Sequence, residues 1–281
     1  MLTSTCRMTD SRTISIGTEG NAIAVETIGH GDESVLFVHG LGSNRGCWYR
    51  ARELFDLERY RLIMLDFPGF GESSRPTNFD YSMASLGDCL GQVIGELALR
   101  RPHVVAHSMG CSAALSMLER HPLELATFLT AEGNLVAEDA FMSSRIARFT
   151  EADFLRAYPI WLSVMRQFWG GEPNLQHDRF IASLREAFPI AMYRASVSCN
   201  ERTRAGTLAS QFAAMACPVA YVYGANTPAK RPIPAVVQSA HVQRSAILGQ
   251  GHFMMEAAER FYPLVQAFIS TGTLPNQDGC H

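Results

Sequence analysis

One serine lies where the sequence predicts a sharp turn between a buried strand and a helix. Residues 106–110 read Ala-His-Ser-Met-Gly, after a short apolar run and before the small residues 111–114. Such a turn exposes the serine hydroxyl above the edge of a sheet, and small residues two positions before and after the serine let the backbone segments approach. The pattern therefore predicts that Ser108 is a nucleophile rather than an ordinary helix N-cap.

A histidine near the end of the chain provides a matching base. His252 lies in the loop 249–253, after the last predicted strand and before the last predicted helix. A neutral imidazole there can take the serine proton and return it to a leaving group. For the other histidines, which lie in strands, helices, turns, the tail or beside the nucleophile, we expect mainly structural roles.

The run 39–42, His-Gly-Leu-Gly, predicts an oxyanion hole. Acyl transfer needs two N–H donors aimed at the developing negative charge, and the expected pair is the backbone amides of Leu41 and Met109. The same glycines, with Gly46, resemble a dinucleotide-binding turn, but the spacing has one residue too many and no free acidic residue ends the next strand. We therefore predict no nucleotide cofactor, and no cofactor of any other kind.

The elements that must position these residues alternate between strands and helices. Continuous apolar runs favour strands that are buried on both faces, and they are found at 35–38, 62–65, 103–106, 125–131, 218–223 and 245–248. Two earlier runs, 13–17 and 22–28, predict a hairpin. Helical spacing predicts helices around 86–97 and over 253–269, and glycines 87, 91 and 95 share a face on which we expect close approach to the sheet. This order predicts an α/β fold with a mostly parallel sheet flanked by helices.

One long segment interrupts the alternation. Residues 136–215 have helical patterns and many aromatic residues but no predicted strand. A segment of this length is far longer than an ordinary connection between strands. We predict that this segment is an inserted helical cap, and that 12–135 and 216–270 form the core beneath it. Residues 1–11 and 271–281 are expected to be flexible ends.

Composition excludes several other classes of protein. The 281 residues are 47% hydrophobic and 18% charged, with a net charge of −3, which excludes a disordered chain and gives no basic surface for nucleic acid. The single lysine, Lys230, is not part of a phosphate-binding loop, and no apolar stretch is long enough for a membrane span. Seven scattered cysteines without a Cys-x-x-Cys pair argue against disulfides and a metal site, and they favour the cytoplasm. The sequence leaves the oligomeric state open.

Four motifs together resemble the α/β-hydrolase superfamily. They are the runs 39–42, 66–73 (Asp-Phe-Pro-Gly-Phe-Gly-Glu-Ser), 106–110 and 251–253. The resemblance implies an eight-stranded sheet, a cap after the sixth strand, and a Ser–acid–His triad that works without a cofactor. The family's dehalogenases and epoxide hydrolases need an aspartate nucleophile, which is absent here, so the resemblance implies an acyl-enzyme on Ser108.

The acid of the triad is where this sequence departs from most relatives. They carry an aspartate in a Gly-x-x-Asp turn, but here residues 224–228 read Gly-Ala-Asn-Thr-Pro and the position holds Asn226. Glu132 ends the strand after the nucleophile helix and can approach His252 from there, as in certain lipases and zearalenone-lactonase-like enzymes, which this chain resembles. We predict that Glu132 is the acid. The competing carboxylates are Asp66, expected to brace the Pro-Gly turn, and Asp139, expected at the start of the first cap helix.

These residues together predict a serine hydrolase that cleaves a carboxylic ester or lactone of a largely apolar small molecule. The aromatic and methionine-rich cap favours such a substrate. The predicted substrate contacts are His39, Gly40, Arg145, Trp161, Met165, Trp169, Met192, Tyr193 and Phe253. A thioesterase, an acyltransferase or a C–C bond hydrolase would use the same triad. A non-catalytic small-molecule-binding protein on this fold is the alternative from another class.

Overall fold

One eight-stranded sheet organises the chain. The computed structural model describes residues 9–16, 21–169, 175–227 and 233–275. The strands are β1 (Thr9–Ile16), β2 (Asn21–Ile28), β3 (Glu33–Val38), β4 (Tyr60–Leu65), β5 (His103–His107), β6 (Thr127–Ala131), β7 (Val219–Gly224) and β8 (Val242–Ile247). Their order across the sheet is β1-β2-β4-β3-β5-β6-β7-β8. The β1–β2 and β2–β4 pairs are antiparallel and the other neighbouring pairs are parallel, which confirms the predicted hairpin and the mostly parallel sheet.

Helices connect the strands and cover the sheet. They are α1 (Ala51–Leu54), α2 (Met83–Glu96), α3 (Met109–Arg120), α4 (Phe141–Ile146), α5 (Glu151–Trp169), α6 (Leu175–Glu186), α7 (Pro189–Arg204), α8 (Leu208–Ala213) and α9 (Ala258–Thr271). The last helix begins later than predicted, because residues 254–256 form a separate turn of 3₁₀-helix. Its predicted apolar stripe, Phe261, Leu264, Val265 and Phe268, is buried.

The central strands are buried on both faces, as their continuous apolar runs predict. Every residue of β5 and β6 is buried, and so are residues 34–38 of β3. Burial of a large aliphatic or aromatic side chain stabilises the fold by about 1.5–3 kcal/mol. These strands therefore form a rigid base for the loops that follow them.

The parallel strands bring the predicted functional residues to one edge of the sheet. The loop 39–46 follows β3, Ser108 follows β5, Glu132 follows β6, and His252 follows β8. Since β5 pairs with β3 on one side and β6 on the other, Ser108 lies between the loop 39–46 and Glu132. The sheet order thus places the predicted nucleophile between the predicted oxyanion donor Leu41 and the predicted acid.

The glycines of α2 allow a close approach to α3, and the predicted approach to the sheet is wrong. A Cβ at Gly87 would lie 2.7 Å from the backbone nitrogen of Met117, and a Cβ at Gly91 would lie 2.9 Å from the His121 ring. Gly95 faces open space. Helical spacing identified the shared face correctly but could not identify the neighbour on that face.

Helices α4–α8 occupy the chain between β6 and β7, with no strand in the described part of this segment.

The ends of the chain are more ordered than expected. Thr9 pairs with Ile28 in the sheet, and the Leu274 N–H donates to Gln243 Oε1 at 2.6 Å, so the prediction of flexible ends is wrong for residues 9–11 and 271–275. Residues 1–8 and 276–281 lie outside the described residues.

Three further observations concern the described ranges alone. No helix in them is long and apolar enough to cross a membrane. They contain no group of three or more His, Cys, Asp or Glu side chains that could hold a metal ion. The cysteines described there are free thiols: Cys47, Cys89, Cys111, Cys199 and Cys217.

Candidate active site

Ser108 occupies a strained turn between β5 and α3. Its φ of 52° and ψ of −123° lie outside the conformations that L-residues prefer, as is common where a reactive side chain must be presented. The Ser108 N–H donates to the Ala131 carbonyl at 3.1 Å, which fixes the turn against β6. A Cβ at Gly110 would lie 2.6 Å from the His39 carbonyl oxygen, so the small residue two positions after the serine is required.

Glu132 and His252 form a direct hydrogen-bonded pair. Glu132 Oε2 lies 2.7 Å from His252 Nδ1, and Oε1 accepts a hydrogen bond from the Gly224 N–H at 2.9 Å. The Glu132 side chain is fully buried, and its backbone φ is 45°, with its N–H donating to the Val222 carbonyl at 2.9 Å. Both carboxylate oxygens therefore have donors, and a carboxylate beside Nδ1 favours the imidazole tautomer that carries its proton on Nδ1.

The loop that carries His252 is held from two sides. His107 Nε2–H donates to the His252 carbonyl at 2.9 Å. On the other side the Asn226 N–H donates to the Gln250 carbonyl at 2.9 Å. Asn226 is exposed, so the turn 224–227 holds the His252 loop through its backbone and not through the side chain of Asn226.

Asn134 is a residue of the candidate site that the sequence analysis missed. The Ser108 hydroxyl donates to Asn134 Oδ1 at 3.1 Å, and the Asn134 N–H donates to the Ser108 carbonyl at 3.0 Å. The Asn134 amide also donates to the buried Cys199 sulfur at 3.3 Å, and burial raises the pKa of that thiol to about 11. If His252 is to accept the serine proton, the hydroxyl hydrogen must first turn from Asn134 toward His252. The sequence signal that could have identified Asn134 is its position two residues after Glu132.

The loop 39–46 and the first residue of α3 present the predicted oxyanion donors. Neither the Leu41 N–H nor the Met109 N–H has a hydrogen-bond acceptor in the described part of the chain, so both are available to a developing oxyanion. A Cβ at Gly40 would lie 3.0 Å from the Ser108 Cβ, which shows how closely this loop approaches the nucleophile.

The His39 side chain is hydrogen-bonded to this loop and to the segment after β4. Its Nδ1–H donates to the Gly40 carbonyl at 2.8 Å, and its Nε2 accepts from the Phe67 N–H at 3.0 Å. Burial lowers the pKa of His39, so the ring remains neutral. His39 therefore supports the oxyanion loop, and both of its ring nitrogens are used within the protein.

The two competing carboxylates have other partners. Asp66 accepts hydrogen bonds from the backbone N–H of Arg45 at 2.6 Å and of Glu72 at 2.9 Å, and it pairs with the Arg45 guanidinium. It thus braces the Pro-Gly turn, as expected, and also the loop 39–46. Asp139 Oδ2 accepts from the N–H groups of Leu135 and Val136, at 2.9 and 3.1 Å. It ends a 3₁₀ turn over 137–139, and the prediction that it starts the first helix of the insertion is wrong, since α4 begins at Phe141.

A small cavity lies above the nucleophile. Its volume is about 20 Å³, which is room for one water molecule. It is lined by Leu41, His107, Ser108, Asn134, Asp139, Phe141, Met142, Ser143, Phe180, His252 and Phe253. The structure therefore brings the predicted nucleophile, base, one oxyanion donor and Phe253 to a common, mainly apolar space.

Most of the predicted substrate contacts do not line this cavity. Those that do not line it are His39, Gly40, Arg145, Trp161, Met165, Met192 and Tyr193. Trp161 stacks on Tyr158 with ring centroids 5.7 Å apart, and the Tyr193 hydroxyl donates to the Phe149 carbonyl at 2.9 Å. Arg145 is exposed and Met192 is buried beneath the loop 39–46, where a Cβ at Gly42 would lie 3.4 Å from its methyl group. The Trp169 side chain lies outside the described residues.

The aromatic residues of the insertion mostly pack on one another, and this explains why the predicted contacts miss the cavity. Phe154 contacts Tyr158, Trp161 and Tyr193 with ring centroids 5.5–5.9 Å apart. Instead, Phe141, Met142 and Phe180 supply the insertion's apolar contribution to the cavity. Sequence spacing identified amphipathic helices but could not tell which face of each helix lies toward Ser108.

Comparison with known families identifies the class of protein. A model of the alpha/beta hydrolase family matches residues 35–264, which is most of the chain. The chain therefore belongs to the alpha/beta hydrolase family, as its motifs predict. The predicted class of enzyme, a hydrolase on this fold, is confirmed at this level.

Three curated relatives match only parts of the chain. BODYGUARD 4 of Arabidopsis thaliana, a probable lysophospholipase, is 38% identical over 91 residues, which cover 32% of this chain and 22% of that protein. RutD of a Caulobacter species, a putative carbamate hydrolase, is 29% identical over 101 residues, 36% of this chain and 37% of that protein. A 2-hydroxy-6-oxononadienedioate/2-hydroxy-6-oxononatrienedioate hydrolase of a Pseudomonas species is 29% identical over 116 residues, 39% of each. The chain thus matches less than two fifths of the length of each.

Solved structures match nearly the whole chain. The esterase of Thermogutta terrifontis has a TM-score of 0.76 at 21% identity, covering 94% of this chain and 99% of that one. The esterase of Exiguobacterium antarcticum has a TM-score of 0.74 at 18% identity, covering 90% and 97%. An N-acyl homoserine lactonase complexed with N-butanoyl homoserine has a TM-score of 0.71 at 21% identity, covering 95% and 98%. These likenesses show the fold.

Proposed function

We propose that the protein is a serine hydrolase that cleaves a carboxylic ester or lactone of a largely apolar small molecule. The observation that carries the proposal is the 2.7 Å contact between Glu132 Oε2 and His252 Nδ1. A carboxylate in this position holds the imidazole in the tautomer whose Nε2 can accept the Ser108 proton, and it stabilises the imidazolium that results. The proposed triad is therefore Ser108, His252 and Glu132.

Acylation uses the residues around Ser108. His252 Nε2 removes the hydroxyl proton while Ser108 Oγ forms a bond to the substrate carbonyl carbon. The backbone amides of Leu41 and Met109 stabilise the negative charge on the carbonyl oxygen. The imidazolium then gives its proton to the leaving oxygen, the bond from carbon to that oxygen breaks, and the acyl group remains on Ser108.

Deacylation repeats these steps with water as the nucleophile. His252 removes a proton from water, whose oxygen attacks the acyl carbon, and the bond to Ser108 Oγ breaks as the serine regains its proton. The products are a carboxylic acid and an alcohol. With a lactone the two are the ends of one hydroxy acid.

The nature of the cavity supports an apolar substrate. Leu41, Phe141, Met142, Phe180 and Phe253 line it, and such side chains favour apolar groups through burial. A lactone is the specific variant we propose, because the chain resembles zearalenone-lactonase-like enzymes in the strand that carries its acid. The N-acyl homoserine lactonase with the same fold is consistent with a lactone substrate.

A C–C bond hydrolase is the second candidate, because the 2-hydroxy-6-oxononadienedioate/2-hydroxy-6-oxononatrienedioate hydrolase of a Pseudomonas species matches part of the chain. The same nucleophile and base would act on a ketone, and carbon would be the leaving group. A vinylogous diketone offered beside a p-nitrophenyl ester distinguishes the two. Faster turnover of the diketone would replace the ester assignment.

A panel of p-nitrophenyl esters from acetate to decanoate tests the proposal, with Ser108→Ala as the matched control. We expect turnover by the parent protein and background rates for the variant. Incubation with a fluorophosphonate should attach its phosphonyl group to Ser108 Oγ with loss of fluoride, so the mass of a peptide containing Ser108 should rise by that of the reagent less HF, and only in the parent. Absent turnover, no adduct and retained ligand binding would favour the non-catalytic binding protein.

Two coarser features belong to the same proposal. Residues 136–215 act as a cap, which is supported by the contribution of Phe141, Met142 and Phe180 to the cavity over Ser108. The compartment is a reducing one, the cytoplasm, which is supported by the free thiols among the described residues.

A further inference from the structure

The cavity over Ser108 is too small for an ester, but a larger pocket adjoins it. The cavity has a volume of about 20 Å³ and the adjoining pocket about 220 Å³. Both are lined by Phe180 and Phe253, whose ring centroids lie 4.6 Å apart. These two rings therefore form the wall between the nucleophile and the adjoining pocket.

The adjoining pocket lies beside both catalytic loops. The residues that line it lie within the segments 43–47, 179–186 and 253–256. The first segment follows the oxyanion donor Leu41, and the last follows His252 directly. A leaving oxygen must lie next to His252 Nε2 to receive a proton, so the chain attached to that oxygen begins beside Phe253.

Resting on the proposed function above, we propose that the adjoining pocket binds the alcohol half of the substrate, and that Phe180 and Phe253 part to admit it. Phe180 belongs to α6 of the insertion, whereas Phe253 belongs to the loop after β8. Separation of the two rings therefore needs a small shift of one helix relative to the core. The opened space joins the two volumes into one site.

The charges of the adjoining pocket define the chemistry of that half. Arg179, Glu186 and Glu256 line it, so it has one guanidinium and two carboxylates. The Arg179 guanidinium carbon lies 3.4 Å from the centre of the Tyr49 ring, which holds this donor at the edge of the pocket. Burial raises the pKa of Glu256, while the positive charges of Arg179 and Arg50 oppose that change.

This arrangement favours an uncharged group that both donates and accepts hydrogen bonds. A carboxamide can accept from Arg179 and donate to a glutamate, whereas a carboxylate, although attracted by Arg179, would also approach two residues of its own charge. We therefore assign the pocket to alcohols with an amide or hydroxyl group several bonds from the ester oxygen. An alcohol with a terminal carboxylate should be a poor substrate.

Acetate esters of equal length test this assignment. The set is hexyl acetate, 5-acetoxypentanamide and 5-acetoxypentanoate, with methyl acetate as the short reference, and release of acetic acid gives kcat/KM. We expect the amide to exceed the carboxylate by about tenfold, because one unfavourable charge contact at moderate dielectric costs that much. A carboxylate ester hydrolysed as fast as the amide would overturn the assignment.

Two pairs of variants locate the effect. Glu256→Gln should reduce the preference for amide over carboxylate by about threefold or more, whereas Glu96→Gln, the same charge change at the exposed end of α2, should not alter it. Phe180→Ala should raise the ratio of hexyl to methyl acetate hydrolysis, whereas Phe149→Ala, a change at an exposed phenylalanine of the insertion, should leave the ratio unchanged. If each variant behaves like its control, the pocket does not bind the alcohol half.

A crystal of Ser108→Ala soaked with 5-acetoxypentanamide separates this inference from the proposed function. We expect the amide end between α6 and residues 253–256, with the acetyl group at residue 108. A chain located elsewhere would overturn the pocket assignment even if the parent hydrolyses every ester. If the parent hydrolyses none, the hydrolase proposal fails, and the position of the soaked molecule still decides whether the pocket binds it.

Discussion

The Glu132 carboxylate lies 2.7 Å from the His252 imidazole, although the two residues are 120 positions apart in the chain. The contact forms because β6 and β7 are neighbours, so a side chain at the end of β6 reaches the loop after β8 across the Gly224 backbone. The neighbouring turn provides only backbone hydrogen bonds at Asn226. In the proposed triad the acid thus comes from the end of β6, and it contacts the proposed base directly.

Asn134 should position the nucleophile. Asn134→Ala removes the acceptor of the Ser108 hydroxyl and the donor to Cys199, so we expect kcat to fall by about 10- to 100-fold through misplacement of the hydroxyl. Loss of a buried hydrogen-bonded group should also lower the free energy of unfolding by about 1–3 kcal/mol. Steady-state kinetics and urea titration measure the two effects.

Cys199→Ala is the matched control for this prediction. It leaves the bond between Ser108 and Asn134 in place, so stability should fall while kcat changes much less than in Asn134→Ala. Equal kcat values for Asn134→Ala and the parent would mean that the asparagine has a structural role alone.

Asp66 should matter for stability and far less for chemistry. Asp66→Asn leaves the partly buried Arg45 guanidinium without its buried ionic partner, and breaking such a pair costs about 3–5 kcal/mol. The oxyanion loop would loosen, but the base would keep its acid. We expect a large loss in the free energy of unfolding and a much smaller loss of kcat than Glu132→Gln produces. The reverse pattern would make Asp66 the catalytic acid.

Stability should fall as the pH is lowered through the range where free histidine titrates. Burial lowers the pKa of His103, and burial also lowers that of His39, so both remain neutral in the folded protein at pH values where the unfolded chain is protonated. The unfolded state then binds more protons below about pH 6.5, and each histidine weakens the fold by at most about 1.4 kcal/mol per pH unit. The loss of stability ends once the pH falls below the pKa that each histidine has in the folded protein.

His103→Asn tests this pH dependence. The asparagine can keep a hydrogen bond to Thr127, which the parent makes from Nδ1 at 2.9 Å, but it cannot titrate. Between pH 7 and 5 the free energy of unfolding of this variant should depend less on pH than that of the parent. His241→Asn, at an exposed position, should match the parent, and parallel curves for all three proteins would contradict the account.

Local patterns predicted where the candidate nucleophile and base lie, and the family resemblance predicted where the candidate acid lies. The strands, the turn at Ser108 and the loop at His252 could be predicted because each depends on a short run of sequence followed by a sharp turn. Glu132 could be placed because its strand neighbours that of the nucleophile. These residues belong to the sheet edge, where topology determines position.

The cavity walls could not be predicted in the same way. Trp161 and Tyr193 have the residue types of a substrate site, yet they pack within the insertion, whereas Phe141 and Phe180 reach the cavity. Helical periodicity gives the apolar face of a helix but not the direction in which that face points. The role of Asn134 depends on the side-chain geometry after β6, which residue type alone does not determine.

The kcat of Glu132→Gln tests the central claim most directly. Because Gly224 donates to Oε1, the glutamine would keep its oxygen there and present its NH₂ group to His252 Nδ1. That donor would force the ring proton onto Nε2, the atom that must accept the serine proton. We expect kcat to fall by about 10³- to 10⁴-fold with the fold retained, while Asn226→Ala stays within about tenfold of the parent. A Glu132→Gln variant as active as the parent, or a larger loss in Asn226→Ala, would contradict the account.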